Sequence, residues 1–168
     1  MTAASRLDRM IARLTTQRAC LRLAATLIAD LPGPAVELGL GKARTYDHLV
    51  RLLPERKVYA FDRGIHCPPD AVPPADRLVL GEFDDTLPGA RDRLGGAPVL
   101  VHVDMGTADR AGDAAPAGRV GAMLKGLVAP RGLVVADREV GLGAWETLPL
   151  PEEAGDWPYF IWRKPARG

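Results

Sequence analysis

The stretch Val36-Glu37-Leu38-Gly39-Leu40-Gly41-Lys42-Ala43-Arg44 joins a short apolar run to a helical pattern through two glycines. Glycines between a strand and a helix permit a tight turn and let the backbone approach a ligand closely. The glycine pair alone is a weak signal, because Ala43 stands where the dinucleotide fingerprint has its third glycine. Ahead of the pair is Glu37, whose carboxylate disfavours a pyrophosphate and favours an ammonium or sulfonium charge. Asp62 closes the next apolar run, 21 positions after Gly41. A carboxylate there can accept from both hydroxyls of a ribose. Together the two acids fit a ligand that contains adenosine and carries positive charge.

S-adenosylmethionine meets that description. Three more acids, Glu82, Asp104 and Asp137, sit at or just past the ends of apolar runs. Asp104 is the candidate general base, with cofactor positioning as its alternative role. His102, two residues earlier on the same strand, shares its side, and a buried, hydrogen-bonded histidine is the expectation there. Tyr46 and His48 open the helix after the glycines; Tyr46 either reaches the cofactor's methionine end or packs in the helix interface. Asp62, His66, Cys67 and Asp70 match no closed zinc pattern, and a proline-rich loop accounts for them. No metal is expected.

These residues need elements to hold them. Leu7, Leu14, Leu21 and Ile28 recur at seven-residue spacing, with Met10, Ile11, Ala24, Ala25 and Leu31 on the same stripe, which predicts a helix over 5–31. Ser5 followed by Asp8 is a helix-start signal, and Pro32-Gly33-Pro34 is a stop. The polar side carries Arg6, Arg9, Arg13, Arg18 and Arg22, read as a solvated face, a basic lip over an anionic ligand, or a dimer contact. Strands are expected at 35–38, 57–61, 77–80, 99–103 and 133–136, and helices at 44–53, 88–94 and 117–127. Prolines at 68, 69, 73 and 74 make the crossover over 64–75 a loop. Segments 146–150 and 159–163 are weaker strands, read as an antiparallel pair. Trp145, Trp157 and Trp162 are expected in core and edge packing. Five apolar runs with crossovers argue for an α/β fold, a mostly parallel sheet covered on both faces. Such sheets bind ligands outside the carboxyl ends of their strands, at the topological switch point.

A chain of 168 residues suits one domain, expected over 1–168. Lys and Arg total 22 against 21 for Asp and Glu, a net charge of +1, which argues against a nucleic-acid substrate. Two cysteines cannot make a disulfide framework, so reduced thiols and a cytoplasmic setting are expected. The N-terminal residues lack a signal-peptide pattern, and no run of about 18 apolar residues suggests a membrane span.

Val-Glu-Leu-Gly-Leu-Gly followed by Val-Tyr-Ala-Phe-Asp-Arg resembles the first two motifs of class I S-adenosylmethionine-dependent methyltransferases. The opening Arg-Leu-Asp-Arg-Met-Ile segment, the Arg-Thr-Tyr-Asp-His-Leu segment and the small size resemble a compact bacterial family of largely unassigned substrate, over about residues 5–165. The resemblance implies a Rossmann-like, seven-stranded, mostly parallel sheet with a C-terminal antiparallel strand, preceded by the long N-terminal helix. It implies that Glu37 faces the methionine ammonium, directly or through water, that Gly39, Leu40 and Gly41 lie against the methionine and ribose, and that Asp62 holds the ribose hydroxyls. Arg63 would flank the adenine. Gly81-Glu82-Phe83 would supply an acid for the adenine amino group and a backbone N–H beside it, and Asp104 would stand near the transferred methyl. Catechol-type relatives bind a divalent cation through acids at Asp104 and Asp137 plus an adjacent Asn, but Arg138 occupies that third position and repels a dication. The function implied is methyl transfer to a small-molecule acceptor. Binding of S-adenosylmethionine or S-adenosylhomocysteine without catalysis is the alternative. A nicotinamide oxidoreductase fits poorly with Glu37 and Ala43. The long apolar stripe of the first helix leads us to expect a homodimer or higher homo-oligomer.

Overall fold

The computed structural model describes residues 4–106 and 111–166. Helix α1 runs Arg6–Leu27. Ser5 caps it reciprocally: its hydroxyl accepts from the Asp8 N–H at 3.1 Å, and its own N–H donates to the Asp8 carboxylate at 2.9 Å. The helix stops short of residue 31, because the chain turns at 28–30 before Pro32. Strand β1 (Ala35–Leu38) leads through the glycines into α2 (Arg44–Leu52), and β2 covers Val58–Asp62. The proline-rich crossover contains one 3-10 turn, Pro69–Ala71. After β3 (Leu78–Leu80) come two short helices, α3 (Phe83–Thr86) and α4 (Ala90–Leu94). Only the second was legible in the sequence. Strand β4 (Leu100–Val103), α5 (Ala114–Leu127) and β5 (Leu133–Ala136) follow. The tail adds β6 (Glu146–Thr147), shorter than expected, and β7 (Phe160–Arg163).

The seven strands form one sheet in the order β3-β2-β1-β4-β5-β7-β6. The first five are parallel, and β7 pairs antiparallel with both β5 and β6. The α/β sheet with its antiparallel C-terminal strands and leading helix is therefore the architecture expected. Two antiparallel partners place β7 between β5 and β6, where its Ile161 and Trp162 are buried.

Alternating strand residues divide between two apolar layers. Val36, Leu38, Phe61, Val101, Val103 and Val134 pack with Val120 and Leu124 of α5. Ala35, Ala60, Leu100, Leu133 and Val135 pack with Cys20, Leu21 and Ala24 of α1 and Leu49 of α2. Trp145 and Trp162 are core residues. Among the described residues no helix is long and apolar enough to cross a membrane.

The strand order reverses at β1, which has β2 on one side and β4 on the other. The crevice at such a reversal opens above the carboxyl ends of β1 and β4. A cleft of about 630 Å³ lined by Ala29, Pro32, Pro54, Arg56 and Gly95 lies at the opposite edge. Its arginine is spent on the carbonyls of Ile28, Leu31 and Gly33.

Candidate functional site

The glycine turn runs close against the chain that leaves β4. A Cβ on Gly39 would lie 2.2 Å from the Asp104 carbonyl oxygen, and the residue has φ +93°. Gly41, at φ +49°, faces open space instead. Ala43, which replaces the third glycine, takes φ 60° and is the residue before α2. Its methyl is buried, which offsets part of the left-handed strain.

Asp62 ends β2 and ties this turn down. Its Oδ2 accepts from the N–H groups of Leu40 at 2.7 Å and Gly41 at 3.2 Å, and Oδ1 accepts from Gly64 at 3.1 Å. Arg63 beside it is exposed. Gly81, at φ +144°, donates its N–H to the Asp62 carbonyl at 3.0 Å. Glu82 is exposed and precedes α3; half-buried Phe83 begins that helix, so its N–H has no acceptor within the helix. Gly39, Leu40, Gly41, Asp62, Arg63, Gly81, Glu82 and Phe83 thus gather at the ends of β1, β2 and β3.

Tyr46 and Glu37 are both held inside the fold. Tyr46 lies inside the sheet–helix layer, and its hydroxyl donates to the Val58 carbonyl at 3.4 Å, at the start of β2 rather than its end. Its three-residue spacing from Leu49 puts it on the buried face of α2. Glu37 is the third residue of β1 and fully buried. Its carboxylate accepts from the Thr45 hydroxyl at 2.7 Å and pairs with His102 Nδ1 at 2.8 Å.

That pairing opens a network the sequence did not reveal. Register sets Glu37 beside His102 across β1 and β4. His102 Nε2 meets the Tyr159 hydroxyl at 2.6 Å. All four side chains are buried. Burial pushes the Glu37 carboxyl up against the opposing pull of His102 and Thr45. Burial opposes protonation of His102, but the Glu37 charge prevails and raises it. Tyr159 precedes a C-terminal strand and lies 57 positions from His102, so only pairing of β7 with β5 brings the two together. The one usable sequence signal was the alternation that put His102 on the side of Asp104.

Asp104 follows β4, two residues past His102. Its Oδ1 accepts from Arg13 Nη2 at 2.6 Å and its Oδ2 from Gln17 Nε2 at 3.1 Å. Asp137 accepts from Arg138 Nε at 2.9 Å, and Arg138 Nη1 donates to Asp113 at 2.8 Å. Guanidinium groups therefore stand against both strand-end acids. Among the described residues no three His, Cys, Asp or Glu side chains gather as metal ligands.

The model of a family described as S-adenosyl-L-methionine methyltransferase matches residues 4–164. An S-adenosyl-L-methionine methyl transferase from Silicibacter pomeroyi DSS-3 is 38% identical with a TM-score of 0.89, over 96% of this chain and 99% of that one. Two more distant structures share the fold alone. MycE methyltransferase of the mycinamycin biosynthetic pathway, in complex with Mg and SAH, is 16% identical with a TM-score of 0.57, over 92% of this chain and 48% of that one. Human methyltransferase-like protein 13, in complex with SAH, is 12% identical with a TM-score of 0.52, over 92% of this chain and 81% of that one. No curated protein matches the chain. By the family match over nearly its whole length, the chain belongs to the S-adenosyl-L-methionine methyltransferases, whose methyl donor is S-adenosyl-L-methionine.

Proposed function

We propose that the chain transfers the methyl group of S-adenosyl-L-methionine to a small-molecule acceptor beside Asp104, above the carboxyl ends of β1 and β4. The observation that carries this reading is the Asp62 carboxylate. It is half-buried at the strand end and takes three N–H groups from the adjoining turns. An ionised carboxylate offers about four acceptor positions, so one remains for a ribose hydroxyl. The open space at Gly41 gives that ribose room. Glu82 and the Phe83 N–H are suited to the adenine amino group and its neighbouring nitrogen, and Arg63 to the adenine face.

The bound cofactor supplies a methyl group already activated on sulfonium. What the chain adds is proximity and orientation. Both Asp104 oxygens take donors from α1, one of them the Arg13 guanidinium, which supports an orienting role over proton removal. That suits acceptors ionised without help from a base. The same engagement of Asp104 favours a second reading, a protein that binds S-adenosyl-L-methionine or S-adenosylhomocysteine without transferring the methyl. The near-neutral charge supports a small acceptor over nucleic acid.

A thermal melt with S-adenosyl-L-methionine, S-adenosylhomocysteine and NAD in parallel tests the binding half. Ligand at about 100 times its dissociation constant adds about 2.7 kcal/mol. The two adenosyl ligands should raise the midpoint by roughly 5–10 °C and NAD should not. Formation of S-adenosylhomocysteine across an acceptor panel then separates transfer from binding alone; a panel with no turnover supports the second reading.

A further inference from the structure

The basic side of α1 is left over once the cofactor is placed. Arg6, Arg9 and Arg13 fall at three- and four-residue spacing and share one row of the helix. The row leads to the acceptor end of the crevice, because Arg13 reaches Asp104. Arg6 and Arg9 are exposed, and Arg9 uses one nitrogen on the Ala4 carbonyl. Asp8 lies off this row and is engaged with Ser5.

Arg13 itself is under-used. A guanidinium carries five N–H donors. One nitrogen, Nη2, bonds Asp104; Nε is shielded from solvent and has no hydrogen-bond partner among the described residues, with the Asp137 Oδ2 at 3.9 Å. The side chain keeps 30% of its surface open. Asp104 thus pins the guanidinium while leaving donors to spare. Arg138 differs, with Nε and Nη1 both bonded to carboxylates.

The charges at this end are Arg6, Arg9, Arg13 and Arg138 against Asp104, Asp113 and Asp137. With Asp8 in the first turn of α1 they cancel, and Glu37 is paired to His102 behind them. A sulfonium in the crevice adds one positive charge. An anion is what this end lacks.

We propose that Arg13 recognises the methyl acceptor, and that the acceptor is a small molecule bearing an oxyanion, a carboxylate or a phosphate. The Arg13 fork binds that group by charge-assisted hydrogen bonds, and Arg6 and Arg9 draw it in along the helix. Asp104 is the positioning residue that aims the fork. The proposal rests on the methyl-transfer reading above and names its substrate class.

The test is calorimetry on the chain saturated with S-adenosylhomocysteine, titrated at low ionic strength with benzoate, inorganic phosphate and neutral benzamide. Benzoate or phosphate should bind and benzamide should not; which anion binds tells the two sources apart. Arg13→Gln should weaken the anion about tenfold or more, with S-adenosylhomocysteine affinity held within about threefold. Arg13→Lys should recover part of the loss, since charge returns without the fork. The double variant Arg6→Gln and Arg9→Gln changes exposed side chains only, so it tests the lip even if Arg13→Gln fails to fold. It should weaken the anion about two- to threefold, an effect that fades near 1 M salt. Equal binding of benzamide, no binding of either anion, or unchanged affinity in the Arg13 and lip variants overturns the proposal. S-adenosylhomocysteine binding without anion binding defeats this inference alone. Failure of S-adenosylhomocysteine to bind defeats the methyl-transfer reading and this inference with it.

Discussion

Glu37, Asp62 and Asp104 stand on adjacent strands, and each carboxylate meets different donors. Asp62 takes backbone N–H groups, so its loss should slacken the glycine turn and remove the ribose partner together. Asp62→Ala is expected to weaken S-adenosylhomocysteine at least about tenfold, read by calorimetry, as charge-assisted hydrogen bonds are lost. Unchanged affinity would refute the role given to Asp62. Glu37 shares its charge with His102, and both pKa values lie above their usual 4.5 and 6.5. The folded chain then holds protons that the unfolded chain has released. Stability from the pair is present in full at low pH, and is lost as pH rises past 4.5 and then through the raised His102 value. This is the reverse of ordinary acid denaturation. The melting midpoint of the native chain should therefore fall relative to a Glu37→Gln, His102→Gln double variant between pH 6 and pH 9. A constant gap between the two melting curves across that range would contradict the assignment.

At the scale of elements, the turn after β1 is shaped by β4 rather than by its own residues. Gly39 cannot carry a Cβ beside the Asp104 carbonyl, whereas Gly41 can. Gly39→Ala should cost about 3 kcal/mol or more, from backbone collision added to left-handed strain. Gly41→Ala should cost about 1 kcal/mol, the strain alone, yet narrow the space given to the ribose. Denaturant melts of both variants check the first contrast, and similar midpoints would count against it. Helix α1 also divides in two. Its second half is buried through Cys20, Leu21 and Ala24, while Leu7 and Ile11 of its first half are 67% and 54% exposed. The seven-residue stripe is continuous in sequence, but only half of it meets the sheet. Sequence periodicity reports a helix face; it does not report where the partner surface ends.

For the whole molecule, the exposed half of α1 supports the proposed self-association, with the apolar row facing a second copy and the basic row facing the crevice. Light scattering at micromolar concentration should return at least twice the chain mass of 18.0 kDa, and Leu7→Glu with Leu14→Glu should return the monomer. A monomeric native chain would end that reading. Gln17 ties α1 to the edge of the sheet, its Nε2 donating to Asp104. The sequence alone determined the strands, the glycine turn, Asp62 at its strand end and the capped start of α1. Those are local properties: alternation, breaker residues and spacing act over a few positions. The acid set at the strand ends was legible for the same reason, since a parallel strand delivers its last residue to one edge whatever its neighbours are. Tertiary structure decided what each acid touches. Glu37 became a buried partner of His102 through strand register, Tyr159 arrived through an antiparallel tail strand, and Arg13 came to Asp104 from 91 positions away. Tyr46 turned to the core because α2 packs by its apolar face. Hydrogen bonds act at contact, and contact between distant segments exists only once the layers have packed.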